Sequence, residues 1–373
     1  MGHIDNHKEQ VYQALAERLN RNPVGTPINE ALMEILQKLY TAGEAELGSR
    51  FPILPVTLDQ LIEMRGINKK VLLDMLESMA KKGLIIDIPR RGETYYMLAP
   101  MVVGFFEYTF MRADKVGLKE LAELFEQYMQ DRAVREEMFD GETKMFRALT
   151  YERLLPLAVE TEVLDYDRAS EIIRQAGGGA LSTCACRHKA EHLGKACSAP
   201  VENICMSLGR ASSWLIRRGF AREATARELL ENLDRAQELG LVLLCDNVLG
   251  NPTFICFCCG CCCGVLRSIN ENDIQAVQAG NYFPEVITQN CTGCGICEES
   301  CHINAIVMQE ETLNNRQVLP VIEKERCIGC GVCAAACPAE ALEMRPRETR
   351  YTPPRSKKEQ LFSIAQEKNR LPF

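Results

Sequence analysis

Cysteine is absent from the first 183 residues of this chain: the first is Cys184, yet the 373 residues contain 19. Long apolar runs are missing too. The stretch Met101 to Phe106 is short and broken by Gly104, far from the roughly 18 to 20 residues a membrane-spanning helix needs. The opening residues MGHIDNHKEQ are polar and of mixed charge, without a secretory apolar segment, and Asn6 stands where myristoylation wants Ser or Thr. A cytoplasmic protein is expected, without membrane insertion. No Rossmann fingerprint, P-loop or acid/base constellation occurs, which argues against independent nicotinamide or ATP chemistry. The formal net charge is -8, unlike a general binder of nucleic acid or anionic membrane.

What remains is 46% hydrophobic and 25% charged, the composition of a soluble globular protein long enough for two or three domains. The cysteines divide it. Eleven fall between 184 and 263 and eight between 291 and 337. In a chain expected to stay in the cytoplasm, cysteines at metal-ligand spacing are a better reading than a disulfide framework. The expected class is α+β multidomain. Residues 1–110 form a winged-helix-like domain, 111–284 a helical and cysteine-rich metal-binding domain, 285–345 a ferredoxin-like dicluster domain and 346–373 a basic tail.

In the N-terminal part, residues 8–21 read as an amphipathic helix and Thr26-Pro27 as a helix start. Thr57-Leu-Asp-Gln60 reads as a capping box. Residues 69–82 (KKVLLDMLESMAKK) place Val71, Leu72, Met75, Leu76 and Met79 on one helical face. A hairpin follows, Leu84 to Ile88 and Thr94 to Leu98 around PRRGE. This order makes residues 28–99 resemble a winged helix, a fold that can read DNA through its second helix and wing. Residues 1–110 carry 12 Lys and Arg against 14 Asp and Glu, without the basic footprint of a DNA reader. The stretches 117–130, 135–149 and 165–177 read as helical, as does 223–239, which is followed by a strand at LVLLC.

The C-terminal cysteines carry a specific pattern. Cys291, Cys294, Cys297 and Cys301 are spaced C-x2-C-x2-C-x3-C, and Cys327, Cys330, Cys333 and Cys337-Pro338 repeat it. Three thiolates at this spacing wrap a glycine-bearing loop around three irons of a cubane; the fourth, starting a short helix, points at the other cluster. One cluster then takes Cys291, Cys294, Cys297 and Cys337, and the other Cys327, Cys330, Cys333 and Cys301. Two four-cysteine zinc sites are the alternative, but zinc pairs CxxC units across longer gaps. The segment closely resembles the bacterial two-cluster ferredoxins, which implies two [4Fe-4S] clusters. His302 departs from their common proline and alters polarity near one cluster without removing a ligand. Between the halves, a hairpin is expected around Leu313 to Gln317.

The middle holds two strings, CACRHKAEHLGKACSAP from Cys184 and ICFCCGCCCG ending at Gly264. Candidate ligands are Cys184, Cys186, Cys197, Cys205, Cys256, Cys258, Cys259, Cys261, Cys262 and Cys263. Alternate residues of an extended segment share a face, so Cys256 and Cys258 act together while Cys259 points elsewhere. Neither string alone encloses a cube. The reading is at least one additional [4Fe-4S] cluster with ligands from both, or several centres; a zinc site using cysteine and histidine (His188 or His192) and a redox-active dithiol are the alternatives. Cys245 ends an apolar strand as a core thiol.

Taken whole, these strings resemble a group of large ferredoxin-like proteins of anaerobic bacteria and archaea, with a winged-helix or helical N-terminal part, a CxCR…C…C segment, a CxCCxCCC string and a terminal 4Fe-4S dicluster domain. The resemblance implies electron transfer and an anaerobic setting. Residues 345–373 carry eight Lys and Arg against three Glu, read as a solvated extension on the body or an arm for an acidic partner. The expected function is an iron-sulfur electron-transfer protein or subunit serving redox partner proteins, rather than a stand-alone enzyme. The alternatives are a redox-sensing winged-helix regulator that binds nucleic acid, and an Fe-S reductase with a substrate site in the middle.

Overall fold

The computed structural model describes residues 2–112, 117–155, 165–310 and 318–371. Its first part contains helices Gly2–Asn20, Glu30–Leu39 and Ala42–Ser49, strand β1 (Val56–Thr57), helices Leu58–Arg65 and Lys69–Lys82, and the hairpin β2 (Ile85–Arg90) and β3 (Glu93–Leu98). The three strands form one antiparallel sheet in the order β1-β3-β2. The hairpin closes on Arg91 (φ 52°) and Gly92 (φ 84°), two consecutive left-handed residues as a type I′ turn requires.

The capping box at Thr57 forms: Gln60 N–H donates to Thr57 Oγ1, and Thr57 N–H to the Gln60 side chain. Thr26-Pro27 does not open a helix. Asn29 does, its side-chain oxygen accepting from Leu32 N–H, so the helix begins three residues beyond Pro27 at Glu30. A second capping box, Thr41 with Glu44, opens Ala42–Ser49. Val71 is not on the buried face of Lys69–Lys82 but 51% exposed. The buried stripe is Leu72, Leu76 and Met79, and Val71, one residue from Leu72, lies about 100° round the helix from it.

The middle is built on a seven-stranded sheet that hydropathy did not reveal. Its members are β4 (Phe146–Leu149), β5 (Gly178–Ser182), β6 (Cys205–Leu208), β7 (Arg222–Thr225), β8 (Val242–Asp246), β9 (Phe254–Cys258) and β10 (Val277–Gln278). They lie in the order β10-β4-β8-β9-β6-β5-β7, antiparallel except for β10 with β4. Residues 135–149 are therefore not one helix. The helix Arg132–Phe139 ends before Gly141 (φ 135°), and Phe146–Leu149 pairs with β8 instead. All four residues of β4 are buried, so neither helical nor strand periodicity shows in them.

Two short sheets complete the chain: β11 (Tyr282–Val286) with β14 (Leu342–Pro346), and β12 (Ile306–Glu310) with β13 (Val318–Ile322). The expected turn around Leu313 to Gln317 lies outside the described residues. Buried apolar side chains form a continuous core from Tyr12 to Ile364, with a smaller cluster around Cys297, Cys333 and Met344. The tail helix Lys357–Glu367 buries Gln360, whose amide donates to the carbonyls of Lys144, Met145 and Asn247. No helix among the described residues is long and apolar enough to cross a membrane.

Candidate metal centres

The two C-terminal cysteine strings form two cavities. One, of about 340 Å³, is lined by Cys291, Cys294, Cys297 and Cys337. The other, of about 390 Å³, is lined by Cys301, Cys327, Cys330 and Cys333. Cys301 and Cys337 thus each line the cavity belonging to the other string. They do not start helices: the third cysteines sit in helices Ile296–Glu299 and Val332–Ala336, and the fourth follow their ends. Each receives an amide four residues on, Ala305 N–H to Cys301 Sγ at 3.2 Å and Ala341 N–H to Cys337 Sγ at 3.3 Å. Such N–H···S bonds stabilise negative charge on sulfur.

The loops need their glycines. A Cβ at Gly329, where φ is +72°, would lie 2.2 Å from Tyr282 O. The cavities differ in exposure: Cys294 is exposed, whereas burial pushes Cys330 up to about 12, and burial and its neighbouring thiols raise Cys333. The second loop is held on the end of β4, where Thr150 Oγ1 donates to Gly329 O (2.7 Å) and Tyr151 N–H to Cys330 O (3.2 Å).

In the middle, the ten candidate thiols separate into two groups, each drawing on both strings. Cys197, Cys259, Cys261 and Cys262 have Sγ atoms all within 4.8 Å of one another. Contacts are 3.6 Å for Cys197–Cys259 and Cys261–Cys262, and 3.9 Å for Cys262–Cys197. A tight turn after β9 makes this possible, closed by Cys263 N–H to Cys259 O. The hydrogen bond from Cys262, with Arg187 nearby, outweighs burial and holds Cys259 down to about 4. Burial and the Cys259 charge push Cys261 up to about 11. Four mutually close thiols, one already favoured as thiolate, suit a soft metal or metal-sulfur centre.

The other six lie near one another, each acting electrostatically on the next: Cys184 with Cys205, Cys205 with Cys256, Cys256 with Cys258, Cys258 with Cys263, and Cys263 with Cys186. Adjacent cysteines diverge, Cys258 from Cys259 and Cys262 from Cys263. Cys245 is fully buried in β8, its Sγ bonded to Asp246 O, and burial pushes it up to about 12. His188 and His192 contact each other (3.2 Å), and His188 Nδ1 bonds Phe110 O (2.7 Å).

The sequence assigned no role to Arg187 or Glu107, and read His302 only as a change of polarity beside one cluster. Arg187 is 1% exposed; its Nη2 donates to Phe257 O (2.7 Å) and its Nη1 to Pro200 O. Its charge acts on Cys184, Cys259, Cys258 and Cys205, while its buried Nε has no partner. Glu107 lies near Cys186 and Cys205, and burial pushes it up to about 8 against the Gly104 N–H that bonds it. Gly260 N–H donates to His302 Nδ1 (3.2 Å), so Nε2 carries the proton given to Gly240 O (2.7 Å). It thereby joins Cys301 of the second cavity to the turn between Cys259 and Cys261. A Cβ on Gly260 would lie 2.2 Å from His302 O, so only glycine fits.

Residues 290–350 match the family model of the 4Fe-4S dicluster domain. No curated protein and no solved structure matches the chain. Eight thiols in two groups of four, with amides on sulfur and no room for a Cβ at Gly329, fit [4Fe-4S] clusters in this segment. With the four-thiol group, they support an iron-sulfur, electron-transfer role in general.

Proposed function

We propose that the chain is an electron-transfer protein or subunit in which a C-terminal [4Fe-4S] pair exchanges electrons with a further iron-sulfur centre in the middle part. Cys291, Cys294, Cys297 and Cys337 would hold one cluster, Cys301, Cys327, Cys330 and Cys333 the second, and Cys197, Cys259, Cys261 and Cys262 the middle one. When bound, such clusters supply one-electron oxidation and reduction at potentials tuned by burial and hydrogen bonds to sulfur. The observation that carries the reading is His302. One residue from a thiol of the second cavity, it hydrogen-bonds the amide between two thiols of the middle group. The first cavity, with Cys294 exposed, is the end offered to a redox partner protein.

In this reading, residues 1–110, 111–284, 285–345 and 346–373 are the winged-helix-like, cysteine-rich, dicluster and tail parts. The order of β1, two helices, β2 and β3 supports the first. A docking rather than DNA-reading role for it is supported by pairing of three of its four helix lysines: Lys82 with Glu44 (2.6 Å), Lys81 with Glu77 (3.5 Å) and Lys69 with Asp59 (3.9 Å). The test is anaerobic purification with iron and sulfide counted per chain and redox-titrated EPR. About twelve or more irons support the middle centre, whereas about eight would confine iron to the C-terminal pair and refute it.

A further inference from the structure

The six thiols outside the four-thiol group come from four separate segments. Cys184 and Cys186 open the helix Ala185–His192, Cys205 begins β6, Cys256 and Cys258 lie in β9, and Cys263 caps the helix Gly264–Asn272. The sheet register explains part of their meeting. Met206 pairs with Ile255, so one residue further Cys205 stands opposite Cys256. Cys258, two residues along β9, shares the face of Cys256. Ordinary core thiols have no reason to seek one another, because a buried thiol packs as a small apolar group. Here each of the six feels the charge of the next, from Cys184 through Cys205, Cys256, Cys258 and Cys263 to Cys186.

Their surroundings are arranged for negative charge. Two helices begin at the group, at Cys184 and Cys263, directing their positive ends towards it. The Gly264 amide near Cys186 and the Leu266 amide near Cys263 favour the thiolate forms. Arg187 adds a whole positive charge. It is almost fully buried, has no carboxylate partner among the described residues, and its Nε is unpartnered. A buried cation without an anion is costly, and neutral thiols do not balance it. Thiolates bound to a metal centre do. Four of the six thiols would satisfy either a tetrahedral zinc or a cubane, and the metal content separates the two.

We propose that Cys184, Cys186, Cys205, Cys256, Cys258 and Cys263 hold a second iron-sulfur centre of the middle part, separate from that at Cys197, Cys259, Cys261 and Cys262, with Arg187 between them as shared counter-charge. The proposal rests on the iron-sulfur reading above. It raises the iron content to at least about sixteen per chain, four for each of four centres.

The experiment uses the full chain, reconstituted anaerobically with iron and sulfide, and counts iron, sulfide and zinc alongside Mössbauer spectra. The wild type is compared with Cys205→Ser/Cys256→Ser and with Cys197→Ser/Cys262→Ser. Each double variant is expected to lose about four irons and a distinct spectral component, and the combined variant about eight. Wild-type iron near eight overturns both this inference and the reading beneath it. Wild-type iron near twelve, lost only with Cys197 and Cys262, overturns this inference and leaves that reading standing. Loss only with Cys205 and Cys256 supports the six-thiol centre and removes the four-thiol one. Zinc in place of iron at the six thiols also overturns the inference. Where a double variant fails to fold, a wild-type count near sixteen supports the inference and one near eight overturns it, and at twelve the single variants Cys256→Ser and Cys262→Ser show which middle group holds the third centre.

Discussion

Replacing His302 by alanine tests how the two cysteine-rich parts are joined. The change removes the acceptor of Gly260 N–H (3.2 Å) and the donor to Gly240 O (2.7 Å). Leaving a buried polar group without its partner costs about 1–3 kcal/mol. His302 is half-buried, so the lower end applies and the pair amounts to about 2–3 kcal/mol. At 1.4 kcal/mol per factor of ten, the turn should open about 30 to 150 times more often. Hydrogen exchange reads this directly, because the Gly260 amide exchanges only when that bond opens. Exchange of the peptide covering residues 258–264 should accelerate by that factor in His302→Ala, while peptides of the N-terminal hairpin stay unchanged. Gly260→Ala reaches the same contact from the other side, since its Cβ would lie 2.2 Å from His302 O. Unaltered exchange in both variants would refute the joint.

Further expectations concern charge and packing. Glu126 is buried between Lys189 (2.5 Å) and Arg267 (2.9 Å). Burial alone would raise its carboxyl, but the hydrogen bonds from Arg267 and Lys189 hold it down to about 2, against an ordinary 4.5. Its contribution is therefore complete above about pH 4.5 and fades as pH falls towards 2. Glu126→Gln should cost about 3 kcal/mol at neutral pH in denaturant unfolding, with the difference from wild type narrowing through that acid window; a constant difference would count against the ion pairs. Lys357→Met strands the fully buried Asp246, which Lys357 meets at 2.6 Å, and should cost about 3 kcal/mol. Adding Asp246→Asn should recover most of that loss; absence of recovery would sink the pairing. Duplex DNA should give no salt-dependent gel shift with the oxidised or reduced chain, because Lys69, Lys81 and Lys82 of the helix Lys69–Lys82 are engaged by carboxylates; a shift in either state would favour the regulatory alternative.

Local spacing was enough to group the C-terminal cysteines as they line the two cavities, because their thiols are set by loops of seven to eleven residues whose glycines dictate the path. Cys291 to Cys301 and Cys327 to Cys337 carry that information within themselves. The capping box at Thr57 and the Arg91-Gly92 turn were readable for the same reason: the partners are at most three residues apart. The middle thiols are different. Cys197 meets Cys259, and Cys205 meets Cys256, only because β5, β6 and β9 lie side by side in a sheet whose buried strands show no periodicity. Sequence alone offered ten candidate thiols and could not divide them. The division between Cys258 and Cys259, and again between Cys262 and Cys263, comes from strand register and one tight turn. That turn depends on a glycine pressed against His302, a residue 42 positions away. Which thiols share a centre is thus a property of the packed sheet, where contacts distant along the chain outweigh neighbours within it.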